Sequence, residues 1–465
     1  MYHTKFCGVL RRCASWARHR RPVYKLPFCS LSTGNGSPGS HVKRASAIDG
    51  GNVVWIQWKD GAESEYHARW LFENCSSAFD NTGQKVSTAS RSSTLKAYAC
   101  KSDASESEKL TVEEVKIEDD GGTIEIRWPW DDSHALPNKS FFDSTKLKQH
   151  SYSEDVLKKH RKHCDPLQWA LKSTDEVPKI SYEEIMESDA GVFKWTDNLS
   201  KHGLCLVKNV PTIEETIQTV ASRICPTIET LYGRTFDVRV EKKAINIAYT
   251  STALEPHMDL AYYESPPGIQ MLHCLEFSEN IVGGESTFLD TFVLANEFKR
   301  LYPEAFETFC RVPATFQKSH VEREHPAQMF FQRPHISTNH DGDVNAVFWS
   351  PPFEGPLKVS TKDVEAYYDA YDKFKYDLVD NEEYQHKWKL QFRLEPGDMI
   401  SFNQRRMLHG RNGWKDPVDG GARHLQGTYL NIDDFLNRHR YLNYVYGTGT
   451  LGVENSVRSS NSSFS

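Results

Sequence analysis

His257, Asp259 and His409 are the residues of this chain whose types and spacing best suit a metal ion. The first two flank Met258 in His257-Met258-Asp259, and the third stands much later in Leu408-His409-Gly410. Two imidazoles and one carboxylate cover one face of an octahedral ion and leave three positions open. Non-haem Fe(II) uses this arrangement to take a 2-oxo acid and then O2. Arg423, 14 residues beyond His409, adds a planar guanidinium suited to a carboxylate presented end-on. An internal salt bridge to one of the chain's 63 acidic residues is the competing use of that arginine. The chemistry these four side chains predict is metal-dependent oxygenation with a carboxylate-bearing co-substrate.

His-x-Asp/Glu is a weak motif by itself. With 19 His and 63 acidic residues in 465, about two or three such tripeptides arise by chance. The chain has three: His163-Cys164-Asp165, His257-Met258-Asp259 and His320-Val321-Glu322. His163 sits in a Lys/Arg/His-rich stretch of helical cast and His320 in a charged loop, where solvated surface histidines are the ordinary reading.

The elements around His257 are of another kind. A strand-like run from Gly268 to Leu275 leads to the turn Gly283-Gly284 and a second strand from Ser286 to Leu289. Residues two apart on a strand face the same way, so His257 and Asp259 can reach one ion from a strand end. Pro396-Gly397-Asp398 marks a turn and Met399 to Phe402 a strand, with His409 just beyond it. Arg423 to Leu430 is a strand whose alternation puts Arg423, Leu425, Gly427 and Tyr429 on one face. Between these, Thr212 to Leu231 carries Ile213, Ile217, Val220, Ile224, Ile228 and Leu231 at helical spacing. Further helices are expected around Leu294 to Leu301 and Lys362 to Leu378.

At these residues the chain resembles the γ-butyrobetaine dioxygenase family of Fe(II)/2-oxoglutarate oxygenases, related to trimethyllysine dioxygenase and, more distantly, taurine dioxygenase. The resemblance runs from about Phe193 to Leu442 and more faintly over 52–140. It is carried by NIAYTSTALEPHMDLAYYESPPGIQMLHCL, GGES, LEPGDMISFNQRRMLHGRNGW and GARHLQGTYLNID. The resemblance implies a mainly β fold with flanking helices: a double-stranded β-helix (jelly-roll) oxygenase core behind a small β-rich N-terminal domain. It implies that His257, Asp259 and His409 hold Fe(II), that Arg423 grips the distal carboxylate of 2-oxoglutarate, and that Asn246, Leu272 and Ser286 line the co-substrate pocket. Tyr232, Phe236, Tyr249 and Tyr429 match an aromatic cage for a trimethylammonium group, whose natural partner is a ring face. Phe236 departs from the family's usual Trp, and Phe348 to Gly355 departs from an Asn-Asn pair near the substrate. On an ideal strand Asn246 and Tyr249 face opposite ways, so both line a pocket only through a bulge or strand end.

The implied reaction is hydroxylation of γ-butyrobetaine to L-carnitine, with O2 as co-substrate, succinate and CO2 as co-products, and ascorbate as a candidate reductant. Trimethyllysine or another trimethylammonium acid is the alternative substrate. An alternative of another class is a non-catalytic binding module on the same fold, against which stand four polar groups that a decayed site has no reason to keep buried.

Asn52 to Trp58 and Thr123 to Trp128 alternate as half-buried strands of the N-terminal domain. Relatives often bind zinc there through clustered cysteines and a histidine. Here Cys75 is followed by Ser76, Ser77 and Asp80, and His134 is displaced, so no ordinary four-ligand zinc site is expected. Residues 81–118, rich in Ser, Thr, Lys and Glu, read as a solvated insertion. No internal repeat is apparent.

The domain expectation is a leader over 1–48, the N-terminal domain over 49–145, the oxygenase over 146–450 and a disordered tail over 451–465. The leader carries arginines and serines but no acid before Asp49, the composition of a mitochondrial transit peptide; a basic tail on a cytoplasmic protein is the alternative. A net charge of −7 gives no reason to propose nucleic acid as a partner. No apolar run approaches the roughly 20 residues of a membrane span. The 10 cysteines show no paired framework and suit a reducing interior. A homodimer is the expected assembly by family resemblance, with the region after Asp433 as a contributor.

Overall fold

The computed structural model describes residues 38–79, 85, 88, 91–93, 110–131, 136–152, 154, 157, 171, 173–239, 250–321, 326–415 and 421–447. The chain divides into two compact units, Met1–Leu157 and Lys158–Ser465.

Apolar alternation gives the first unit two three-stranded antiparallel sheets. One runs β1 (Val42–Ile48), β2 (Val53–Trp58), β3 (Glu63–His67); the other runs β4 (Glu114–Glu118), β5 (Thr123–Arg127), β6 (Lys139–Asp143). Strand β1 falls inside the stretch whose basic composition suggested a leader, and its Val42 is buried in the core. The insertion expected over 81–118 is likewise too long: Leu110 and Val112 are core residues, and β4 pairs with β5.

The two sheets repeat one pattern, contrary to the expectation of no repeat. Each first hairpin turns on an Asp/Gly segment, Asp49-Gly50-Gly51 or Asp119-Asp120-Gly121. Trp58 donates its indole N–H to Ser64, and Trp128 to Ser140, both at 2.9 Å. Each third strand ends at a helix cap, His67 for Ala68–Asn74 and Asp143 for Ser144–Gln149. The turn glycines are reciprocal: a Cβ on Gly51 would stand 2.4 Å from the Val112 carbonyl oxygen, and one on Gly121 2.3 Å from that of Val42. The halves share only a turn, one tryptophan and an apolar period, too little for the sequence alone to declare a repeat.

Where thiols would be needed for zinc, a guanidinium stands beside Cys75. Arg91 donates to Ser77 Oγ at 3.1 Å and to the Phe72 carbonyl, approaches Cys75 Sγ at 3.6 Å, and lies over the Phe72 ring. Asp80 and His134 lie outside the described residues.

In the second unit the first strands are β7 (Lys179–Ser181), β8 (Leu204–Lys208), β9 (Phe236–Val238), β10 (Leu254–His257) and β11 (Ile269–Phe277). Then come β12 (Val282–Gly283), β13 (Ser286–Asp290), β14 (Pro313–His320), β15 (Ala327–Pro334), β16 (Ile336–Thr338) and β17 (Val344–Val347). The last are β18 (Lys389–Phe392), β19 (Met399–Asn403), β20 (Met407–Arg411), β21 (Trp414–Lys415) and β22 (Arg423–Leu430). Two sheets dominate, one ordered β7-β8-β19-β11-β22-β9 and the other β10-β20-β13-β18. All their pairings are antiparallel except β7 with β8.

Strand β11 explains how the larger sheet is covered on both faces. Ile269 and Met271 join the core formed with the helices Asp189–His202 and Ile432–Tyr446. Leu272 and Cys274 point the other way, into a core with Phe288, Ile400, Phe402, Trp414 and Leu425. Phe288 of the smaller sheet meets Phe402 of the larger one edge-on at 5.2 Å, joining the two inner faces. Burial on both sides is why β11 reads as a near-continuous apolar run.

One helix is much shorter than its periodicity suggests. Over 212–231 only Thr216–Ala221 is α-helical, and Ile213 is exposed. Pro226 disfavours the α conformation at Cys225 and cannot continue the hydrogen-bond ladder. Beyond it the chain runs against β22, with Thr227 bridging Leu430 and the Ile228 N–H donating to the Tyr429 carbonyl.

Candidate metal centre

His257 is the last residue of β10 and pairs in register with His409 in the middle of β20. Their rings lie 4.4 Å apart, centroid to centroid. Asp259 is the second residue beyond the strand, and its Oδ1 stands 3.5 Å from His257 Nε2 while its Oδ2 stands 3.6 Å from His409 Nε2. One ligand atom from each of the three residues lies within 4.8 Å of the others.

Hydrogen bonds orient His257, Met258 and Asp259. His257 Nδ1 donates to the Glu255 carbonyl at 2.7 Å, which leaves the Nε2 lone pair facing the centre. Met258 is pinned on both sides: its N–H donates to the Trp349 carbonyl and its carbonyl accepts from Ser350 Oγ, each at 2.8 Å. The Asp259 N–H donates to Gln404 Oε1, and Leu260 takes a left-handed φ of 59° to complete the turn. Burial raises the Asp259 pKa, but His409 and His257 overcome it and hold the carboxyl well below the usual carboxylate range. Burial and the neighbouring His257 push His409 down to about 4, so its ring is neutral and can offer a lone pair. Two imidazoles and one anionic oxygen donor, crowded on one side of a small space, fit a ferrous ion with an open face.

Arg423 enters the same inter-sheet space from β22. Its alternation companions Leu425, Gly427 and Tyr429 face Cys274, Leu272 and Gln270 of β11 in register. Arg423 is 6% exposed, donates from Nε to the Gly284 carbonyl at 3.3 Å, and lies over the rings of Phe277 and Trp414. Among the described residues it forms no ion pair, so the internal salt bridge weighed above is not found there. Burial lowers its pKa to about 10, which keeps it charged at neutral pH. Ser286 is buried and pairs with Arg411, whose guanidinium also lies over the Trp414 ring, and Leu272 is buried opposite Gly427. A buried cation of this kind calls for an anionic ligand.

Three of the four aromatic candidates are close together. Phe236 stacks on Tyr429 at 5.1 Å, and Tyr232 lies 6.4 Å from Phe236. Tyr262, which sequence reasoning missed, brings its hydroxyl 3.4 Å from that of Tyr232 and packs edge-on against Phe353. Tyr249 and Asn246 lie outside the described residues, as do His163 and Glu322. His320 ends strand β14 instead of sitting in a loop. Sequence reasoning also missed Gln270, although a glutamine within the apolar run of β11 was a visible signal.

The model of the taurine catabolism dioxygenase TauD, TfdA family matches residues 166–429. The γ-butyrobetaine dioxygenase of Pseudomonas sp. (strain AK-1) is 29% identical over 394 residues, covering 85% of this chain and 94% of that protein. The γ-butyrobetaine dioxygenase of Homo sapiens is 27% identical over 412 residues, covering 86% and 97%. A trimethyllysine dioxygenase of Meyerozyma guilliermondii is 22% identical over 409 residues, covering 84% and 94%. Since the family match spans the buried His-Asp-His group and Arg423 alike, the chain belongs to the taurine catabolism dioxygenase TauD, TfdA family and is an Fe(II)- and 2-oxoglutarate-dependent dioxygenase.

Proposed function

We propose that this dioxygenase hydroxylates γ-butyrobetaine to L-carnitine. The observation that carries the reading is the aromatic surface at the metal group: Phe236 stacks on Tyr429, Tyr232 stands beside it, and the Tyr429 hydroxyl reaches Asp259 at 2.8 Å. A trimethylammonium group has no hydrogen to donate, so ring faces are its natural partner next to a buried centre. Two of the relatives above carry the name γ-butyrobetaine dioxygenase, which supports the same substrate.

In this reading His257, Asp259 and His409 would hold the iron, Arg423 would grip the far carboxylate of 2-oxoglutarate, and Ser286 and Leu272 would line that pocket. Bound Fe(II), with 2-oxoglutarate and O2, supplies the oxidant for C–H hydroxylation, and succinate and CO2 leave as co-products. The chain's own work is positional. Arg423 fixes one end of the co-substrate, the rings fix the cation, and burial keeps water away. No side-chain base is assigned, because the substrate hydrogen is not removed as a proton.

The two facing sheets are read as the double-stranded β-helix of such oxygenases, behind an N-terminal β-rich domain. The basic leader is read as a mitochondrial address, and the exposed Tyr441, Val445 and Tyr446 of the last helix as a homodimer surface. Trimethyllysine is the second substrate reading, favoured by relatives of that name. The test is succinate release from 2-oxoglutarate against a panel of trimethylammonium acids. Highest turnover with γ-butyrobetaine supports the proposal; preference for trimethyllysine replaces it.

A further inference from the structure

The metal-ligand candidate Asp259 has oxygens with different surroundings. Gln270 Nε2 and Tyr429 Oη both donate to Oδ2, each at 2.8 Å. These two residues are direct cross-strand partners on the inner face of β11 and β22, and both are almost fully buried. Water therefore does not compete for the bonds, and hydrogen bonds to a carboxylate are the stronger kind. Among the described residues Gln270 also leaves its own carbonyl oxygen buried without a hydrogen-bond partner. Turning the amide over would set that oxygen against the carboxylate, so the orientation follows from charge. An apolar residue would fill this place in the strand without leaving a buried acceptor unmade.

We propose that Gln270 and Tyr429 are positioning residues that make Asp259 a one-oxygen ligand. Oδ2 lies 3.6 Å from His409 Nε2 and is the other candidate donor, but a carboxylate oxygen has two in-plane lone pairs and the two hydrogen bonds engage both. Oδ1, 3.5 Å from His257 Nε2, keeps its lone pairs for the metal. If Asp259 bound through both oxygens, one of the three open positions would be lost, and with it room for a two-point co-substrate plus O2. Tyr429 thus joins two tasks in one side chain: its ring faces the proposed substrate cation and its hydroxyl sets the geometry of the metal ligand.

The inference rests on the metal reading but not on the identity of the substrate, so its test omits substrate. Tyr429→Phe removes one hydroxyl and keeps the ring; Gln270→Met keeps the length and removes the donor. The full chain and each variant are titrated anaerobically with Fe(II), and 2-oxoglutarate is then added while the weak visible charge-transfer band is followed. Each variant is expected to bind Fe(II) about tenfold more weakly and to show a weakened or shifted band, in apo-protein that stays folded under the titration conditions. Parental Fe(II) affinity and an unaltered band in the variants would overturn the proposal, and Tyr429→Phe alone decides if Gln270→Met does not fold. Failure of the parent chain to bind Fe(II) would instead bring down the metal reading, and the inference with it.

Discussion

Arg423 is buried and Glu354 is partly buried with one carboxylate oxygen shut from solvent, and desolvation acts on them with opposite consequences. It lowers the arginine only to about 10, so the guanidinium stays charged and free for a ligand carboxylate. Replacing it by Met removes a charge-assisted pair worth about 2–3 kcal/mol. Arg423→Met is therefore expected to raise the KM for 2-oxoglutarate by roughly 30- to 150-fold while leaving Fe(II) affinity nearly intact. An unchanged KM would remove Arg423 from the co-substrate site. Glu354 moves the other way: burial raises its carboxyl to about 7, with the Tyr371 hydrogen bond and the Lys375 charge only partly opposing. Between the ordinary value of 4.5 and about 7 the folded chain holds a proton that the unfolded chain releases. Raising pH through that window therefore costs stability. Glu354→Gln keeps the shape without the charge and is expected to stabilise the protein at pH 8 by on the order of 3 kcal/mol, with little effect near pH 4.5. Urea denaturation at the two pH values checks this, and an equal effect at both would refute the assignment.

At the scale of elements, β22 does most to assemble the centre, because one face presents Arg423, Gly427 and Tyr429 in succession. Gly427 has a specific duty there: a Cβ would stand 2.2 Å from Phe236 Cζ, so only glycine lets that ring lie flat on the strand beside Tyr429. Gly427→Ala is expected to displace the Phe236 ring and raise the KM for a trimethylammonium substrate about three- to tenfold, the range of a cation–ring contact. The KM for 2-oxoglutarate should stay within about twofold of its starting value; if both rise together, the alanine has disturbed the strand and not the ring. Strand β22 was legible in the sequence because its alternation singles out one face. Strand β20 was not: all of Met407–Arg411 is buried, so no polar period marks it, and His409 read as lying beyond a strand when it sits inside one. The apolar period over 212–231 was legible, but its helix stops early because Pro226 turns the chain along β22. The metal residues could be picked from sequence because two imidazoles and an acid have few other reasons to sit among apolar strands. Gln404, which holds Asp259, and Ser350, which holds Met258 between two of the ligands, come from distant segments, so only the folded chain brings them together.

The whole molecule has a core in each unit, and the metal group belongs to the second alone. A ligand that binds one folded unit stabilises that unit by mass action, by about 2.7 kcal/mol at a hundred times its dissociation constant. Unfolding is therefore expected to be more than two-state. In calorimetry under anaerobic conditions, Fe(II) with 2-oxoglutarate should raise the transition of Lys158–Ser465 by several degrees and leave that of Met1–Leu157 where it was. A substitution in the first unit should do the reverse. Trp58→Phe removes the indole donor from Ser64 in the buried core, a loss of about 1–3 kcal/mol. Its transition should fall while the shift produced by Fe(II) and 2-oxoglutarate is retained. One transition that moves as a whole under both treatments would show that the two units melt together, against this expectation.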